Sequence, residues 1–341
     1  EVVAAIGAAT IASGGPYQII GVAPGVYTGA SNVVTLTTAK PKFLVIGLQG
    51  AGKTIIDGTG SSFPWEIDNA AVISSLTFRY WSKAINVNAA SQEVRLVDLF
   101  VKDNTSTTNT SGVDVVAASK TFILGSTFLN NSGRSQAQQI WIGSGAATIT
   151  NTLIWSRPPW PQSAFSSGPM LAKAGSATLV TSNCLVKDQT LSGSGNLGGT
   201  VDPKLHLDGH LRSDSPLRGA GITVAQSRMD MDGELRPTSN LDIGVDQFAD
   251  TDADGLPDVW EVATTGGTTT LTGAADEDSD GLNTIGEYDW ETNRLNGDTD
   301  GDGVPDGLEV AYGTNPLVVD SADDLNTELN GDGLIDSIGL Q

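Results

Sequence analysis

The sequence predicts an all-β solenoid of stacked coils that runs into an acidic tail carrying short helices. Three observations predict it. Five β-rich rows recur with starts 23, 27, 26 and 30 residues apart and no helical pattern between them, a period typical of repeated coils. Charge is split along the chain: residues 246–341 hold 24 acidic residues against one basic residue, Arg294, whereas residues 1–245 hold 16 acidic and 17 basic. Inside the tail a twelve-residue acidic pattern repeats three times. A boundary near Asp246 therefore gives two domains, residues 1–248 and 249–341.

The rows read ISSLTFRYW from Ile73, LVDLFVKDN from Leu96, ILGSTFLNN from Ile123, ITNTLIWSR from Ile149 and LVTSNCLVK from Leu179. Aligned on their first residues, these five form one inward column, and Phe78, Val101, Phe128, Ile154 and Cys184 form a second. Ser75, Asp98, Gly125, Asn151 and Thr181 form a turn-friendly column between them. One coil cannot bury its inward side chains, but stacking at about 4.8 Å buries like on like. In this register the lone cysteine, Cys184, is a small core residue, and no internal disulfide is available.

Ahead of the rows, the small and apolar residues 1–13 suit a short helix over the open end of the solenoid. YQIIGVAPGVYTG, residues 17–29, reads as strand, Pro-Gly turn, strand. Residues 47–54, GLQGAGKT, match the phosphate-binding pattern GxxxxGK[ST]. That chemistry needs a helix from Lys53, and the following TIIDGTGSSFP, with β-branched residues, glycines and a proline, forbids one. The stretch reads as a turn and a strand, with no nucleotide partner.

The apolar strand followed by Pro24, Gly25 and Tyr27, together with the rows, resembles right-handed parallel β-helix proteins of the pectate lyase and pectin esterase kind. The resemblance lies in the repeat, not in a catalytic motif. Asp98 and Asp103 share one row and Asp188 lies well away, so no carboxylate pair lines up across adjacent rows. No catalytic residue is assigned. In the same register Arg79, Tyr80, Trp81, Lys102, Trp155 and Arg157, with Trp160 just beyond, fall on one outward edge. Cationic and aromatic groups there could contact an acidic glycan, or form a mixed solvated surface. Residues 191–248 resemble the closing segment of bacterial surface β-helix proteins, which end in D-I-G-A-D-E-F; here that motif is Asp242, Ile243, Gly244, Val245, Asp246, Gln247 and Phe248. Such proteins are exported and often anchored. A chain starting at Glu1 suits removal of a signal peptide.

The tail carries the sharpest chemical pattern. DTDADGLPDVWE offers Asp250, Asp252, Asp254, Leu256 (through its carbonyl), Asp258 and Glu261 at the ligand places of an EF-hand loop, with Gly255 at the turn. DEDSDGLNTIGE offers Asp276, Asp278, Asp280, Leu282, Thr284 and Glu287, and DTDGDGVPDGLE offers Asp298, Asp300, Asp302, Val304, Asp306 and Glu309. A weaker fourth, ELNGDGLIDSIG, has Glu328, Asn330, Asp332 and Asp336, but Gly339 stands at the twelfth place. Carboxylates this crowded repel one another unless a hard dication takes their oxygens, so about three calcium ions are expected. With a short helix after each loop and no apolar helix before it, the repeats resemble bacterial thrombospondin type 3-like and dockerin-like modules.

The acidic tail disfavours nucleic acid and anionic membranes as partners, and no apolar run reaches the ~18 residues a membrane span needs. Three function classes remain: an exported structural or adhesive surface protein that assembles with copies of itself or a surface polysaccharide, an acidic-polysaccharide lyase or hydrolase, and a carbohydrate-binding module. Inactive coils and metal loops set apart from them favour the first.

Overall fold

The structure, a computed structural model, describes residues 17–28, 33–38, 41–59, 63–106, 110–117, 119–133, 137–157, 168–225 and 227–319. The expected N-terminal cap at residues 1–13, Trp160 and the fourth acidic repeat lie outside the described residues.

Strands of two to five residues wind into a parallel β-solenoid. The first sheet stacks Gln18–Val22, Phe43–Gly47, Ala71–Ser74, Glu93–Val97, Lys120–Leu124, Ala146–Thr150 and Thr178–Ser182. The second stacks Gly25–Thr28, Thr54–Asp57, Thr77–Arg79, Phe100–Lys102, Thr127–Leu129, Leu153–Trp155 and Leu185–Val186. The third stacks Thr35–Leu36, Trp65–Ile67, Ile85–Val87, Val113–Val115, Ile140–Ile142 and Leu171–Lys173. Every pairing between these strands is parallel and joins one coil to the next. The interior is filled by aligned apolar columns, such as Ile56, Phe78, Val101, Phe128, Ile154 and Val186, all buried. Trp65 meets Phe78 edge-on at 5.0 Å.

The register corrects the last row. Ile149 pairs with Thr181 and Ile154 with Val186, so the row slides by two residues from the expected alignment. Asn183, not Thr181, completes the turn column. Ser75, Asp98, Gly125, Asn151 and Asn183 all take positive φ, between 49° and 56°. Short polar residues and glycine tolerate this left-handed conformation, which bends each coil from the first sheet to the second. Cys184 leaves the Phe128 column but stays buried, with its thiol donating to the Ser182 carbonyl at 3.1 Å. Burial pushes that thiol up to about 12.

A second left-handed position, shared by Tyr80, Asp103 and Asn130, turns the chain inward again. The ninth place of the first three rows, Trp81, Asn104 and Asn131, is therefore interior, not outward, whereas Arg157 and Lys187 are half-buried. Trp81 is 1% exposed and donates through Nε1 to the Ile56 carbonyl at 3.1 Å. Its indole fills space that Gly58 leaves, since a Cβ at Gly58 would lie 2.3 Å from it. Below Trp81, Asn104 donates to Asn131 at 2.7 Å, Asn131 donates to Gln139 at 2.9 Å, and Gln139 donates to the Trp155 carbonyl at 2.9 Å. This buried amide ladder satisfies backbone carbonyls that the bend frees.

GLQGAGKT forms a turn, a single 3-10 turn at Ala51–Lys53, and then the strand Thr54–Asp57. Thr54 is buried, and the amide of Gly52 donates to the Met231 carbonyl at 2.7 Å. No helix N-terminus faces outward here, which is the element a phosphate cradle requires.

The chain divides into two compact units: residues up to Pro203 with Pro216–Gln247, and Lys204–Ser215 with the residues from Phe248 on. The second unit thus borrows Lys204–Ser215 from the stretch that the sequence assigns to the first domain. In the first unit, residues 216–247 run without regular strands over the left-handed column. Asn151 exchanges two hydrogen bonds with the backbone of Ile222, at 2.6 and 3.0 Å, and Asn183 donates to the Ala220 carbonyl at 2.8 Å. Asp98, buried, accepts from the Ser227 hydroxyl and from the Arg228 amide, and lies 3.8 Å from the buried Arg236. Burial outweighs these partners and raises Asp98 to about 6. The expected closing motif also docks here: Gly244 donates to the Asn151 carbonyl at 3.0 Å and Val245 to the Thr127 hydroxyl at 2.9 Å. Among the described residues no helix is long and apolar enough to cross a membrane.

Candidate metal centre

Three short helices follow the three acidic loops: α1 (Asp258–Thr265), α2 (Thr284–Trp290) and α3 (Asp306–Tyr312). Proline at 257 and 305 sets the entry of α1 and α3, Asn283 caps α2 by accepting from Gly286 at 2.9 Å, and left-handed Gly266 and Gly313 end α1 and α3. The helices are too short to persist alone, so the loops and their packing must hold them.

Each loop repeats one geometry. The first aspartate accepts from the turn glycine: Gly255 to Asp250 at 3.0 Å, Gly281 to Asp276 at 3.2 Å, Gly303 to Asp298 at 2.9 Å. The fifth-place aspartate accepts from the residue after that glycine: Leu256 to Asp254 at 2.9 Å, Leu282 to Asp280 at 2.7 Å, Val304 to Asp302 at 2.8 Å. The three glycines share φ between 95° and 97°, which excludes a side chain without strain. The loop curls so that one carboxylate oxygen from each of Asp250, Asp252 and Asp254 lies within 4.8 Å of the others. Asp276, Asp278 and Asp280 form a second such group, and Asp298, Asp300 and Asp302 a third.

The twelfth-place glutamates are brought to the loops by the first turn of each helix. Glu261, Glu287 and Glu309 are all buried, at 0–1% exposure, where an acidic side chain is rarely found unpaired. Glu261 accepts from Leu271 through Oε1, while its Oε2 has no hydrogen-bond partner. Neither carboxylate oxygen of Glu287 or of Asp278 has one. Burial, then the charges of Asp278, Asp280 and Asp276, raise Glu287 to about 7. Burial followed by neighbouring aspartates likewise raises Glu261 and Asp278. Buried, orphaned, mutually repelling oxygens and no nitrogen or sulfur donors suit a hard dication.

The ninth places behave differently from the expectation that they act as ligands. Asp258 accepts from the amide and hydroxyl of Thr251, at 2.9 and 2.5 Å, and Asp306 does the same with Thr299, at 2.8 and 2.6 Å. Both carboxylates are engaged in clipping the loop to its helix. Thr284, at the corresponding place of the second loop, donates to the Ala275 carbonyl at 3.0 Å. Successive loops are also joined: Asp254 accepts from Gly273 at 2.7 Å and Asp280 from Gly307 at 3.0 Å.

Residues 298–318 match the family model of the bacterial TSP3 repeat. The match covers the third loop, α3 and the chain just after it. The molecule is thus a parallel β-solenoid followed by TSP3 repeats, and repeats of this kind generally bind calcium. The first two loops share the hydrogen bonds of the matched one. No curated protein and no solved structure matches the chain.

The suggested glycan edge comes apart in the structure. Trp81 and Trp155 are buried, so neither ring is open to a sugar. Lys187 lies over Trp155 at 5.4 Å and donates to the Ser156 carbonyl at 2.7 Å. Arg79 is held by Asp57 at 2.9 Å, and Lys102 rests over Phe100 at 4.9 Å. Arg157 is half-buried, leaving Tyr80, 51% exposed, as the one open aromatic among the described edge residues.

Proposed function

We propose that this chain is an exported, non-catalytic structural or adhesive protein of the bacterial surface, whose TSP3 repeats bind about three calcium ions. The observation that carries this reading is the set of buried, unpartnered glutamate and aspartate oxygens at the repeats. Asp250, Asp252, Asp254 and Glu261 hold the first ion, Asp276, Asp278, Asp280 and Glu287 the second, and Asp298, Asp300, Asp302 and Glu309 the third, with the carbonyls of Leu256, Leu282 and Val304 completing the shells. Bound calcium neutralises carboxylates that otherwise repel, and so makes the repeats a stiff module. The loops are tied one to the next through Asp254 and Asp280, which suits a spacer or contact surface. The solenoid offers stacked sheets with two ends, and the edge of each end strand can pair with another chain. Self-association end to end, or attachment to a surface polysaccharide, is the role assigned to it.

Incubation of the pure protein with pectate, alginate and chondroitin in calcium tests this. The expected result is no unsaturated or reducing ends, together with calcium-dependent association seen by light scattering and negative-stain microscopy. Robust turnover abolished by Arg79→Ala or Lys102→Ala would establish the lyase instead.

A further inference from the structure

The stretch Lys204–Ser215 packs within the second unit, although the chain enters it from Pro203 and leaves it at Pro216, both of the first unit. It folds as a hairpin. An antiparallel bridge joins Leu205 to Leu211, and the amides of His206 and Arg212 donate to the carbonyls of His210 and Lys204 at 2.8 and 3.0 Å. The acidic module thus contains a piece of chain that lies outside its own repeat pattern.

This hairpin grips the end of α2. Tyr288 donates through its hydroxyl to the Leu211 carbonyl at 2.7 Å. Asp289 accepts from the amide and the hydroxyl of Ser213, at 2.7 and 2.6 Å. Arg212 lies over the Trp290 ring at 5.2 Å. Glu291, just past the helix, accepts from the Leu207 amide at 3.0 Å and lies 2.9 Å from Nδ1 of His206. Every residue from 288 to 291 is therefore held by the hairpin. The residue before them is Glu287, whose two buried oxygens have no hydrogen-bond partner.

Tyr288 also reaches the first repeat. It is buried, and its ring meets His206 at 4.5 Å, Trp260 at 5.5 Å and Phe248 at 5.9 Å between centroids. Trp260 immediately precedes Glu261, the buried glutamate of the first loop, and Phe248 stands two residues before Asp250, its first aspartate. One ring thus ties the segments that carry Asp250, Glu261 and Glu287 to the hairpin. After Glu309 of the third loop, Val310 stands in place of Tyr288.

We propose, on the reading that the repeats bind calcium, that Tyr288 and the 204–215 hairpin couple the first two calcium sites, so that these ions bind cooperatively and fasten the hairpin as they do. α2 has seven residues, too few to hold Glu287 in place unaided. The first ion to bind orders Tyr288 and its neighbours, and the second meets a hub that is already ordered. The coupling is reciprocal: the factor by which calcium favours the closed hairpin is the factor by which the closed hairpin raises calcium affinity. The stretch between Pro203 and Pro216 thereby answers to the ion state of the tail.

Calorimetric titration and hydrogen exchange of the full chain, with calcium added in steps, test this. Asp300→Asn is used to remove the third site and leave two ions to read. In that background the Hill coefficient is expected to exceed unity, and the amides of 204–215 are expected to become protected at the same calcium concentration as the first two loops. Tyr288→Leu should bring the coefficient to unity. Asp278→Asn, which removes the second ion, should weaken the first about 5–150-fold. If Tyr288→Leu does not fold, Tyr288→Phe/Ser213→Ala is read instead. It keeps a ring at 288, removes both hydroxyl bonds between the hairpin and α2, and should shift protection of the hairpin to higher calcium; no shift overturns the proposal. A hairpin equally protected with and without calcium, or a folded Tyr288→Leu protein with an unchanged binding curve, overturns it too. If the repeats bind no calcium, their own reading fails as well; if the ions bind independently of one another, that reading stands and the coupling alone falls.

Discussion

Asp98 shows how one side chain can fasten two parts of a solenoid. It occupies a left-handed turn position and, at the same time, receives Ser227, Arg228 and Arg236 from the closing segment. Asp98→Ala removes the ion-pair partner of the buried Arg236 and is expected to cost about 3–5 kcal/mol, read from urea denaturation. Glu287 makes a second residue-scale prediction. Its carboxyl is raised from 4.5 to about 7 in the folded protein. Between those values the folded state holds the proton that the unfolded state has released, so stability falls as pH rises. In chelator the second unit should therefore melt at lower temperature at pH 8 than at pH 5, and Glu287→Gln should flatten that slope. Equal slopes in the two proteins would refute the assignment. Calcium takes over the proton's role, so its affinity should fall on acidification through pH 7.

At the scale of the element, the repeated unit is a loop in which some acidic groups cluster and others hold the scaffold. The Thr251–Asp258 clip orients the first loop without contributing to its aspartate cluster. Loss of such an outer partner typically weakens metal binding about 10–100-fold, the effect expected for Thr251→Val in calorimetric titration. Turn glycines of the repeats and of the solenoid permit a similar dissection. Gly281 has φ +97° and open space around it, whereas Gly125 has φ +56° and would place a Cβ 2.5 Å from Asp98 Oδ1. Alanine at either position pays left-handed strain of about 1–2 kcal/mol. Gly125→Ala should cost clearly more, because it also displaces the Asp98 contacts, and matched denaturation curves decide this.

At the scale of the whole molecule, charge and architecture divide the chain alike. A nearly neutral solenoid is held by columns of apolar side chains, and an acidic module is held by what neutralises it. The GLQGAGKT turn belongs wholly to the solenoid. Lys53→Ala removes a half-exposed ion pair worth about 0–1 kcal/mol, so the melting temperature should barely change. ATP should shift neither protein; an ATP-dependent rise lost in the variant would show a nucleotide site after all.

The fold class was legible because coil stacking repeats like residues at a fixed period, and the clustered aspartates of the acidic loops because their spacing is strict within twelve residues. The last register was not. Leu179 looked like the partner of Ile149, but the left-handed turn, which admits Asn183 under Asn151, decides the pairing. That asparagine pair was the available signal. Nor could the outward edge be read correctly, since alternation predicts Trp81 outside, while the left-handed Tyr80 turns it inward. The Asp98–Arg236 pair left no local trace, because its partners, 138 residues apart, meet only after the closing segment folds back on the coils. Periodicity and spacing are written along the chain, whereas burial and the pairing of distant charges exist only once it has folded.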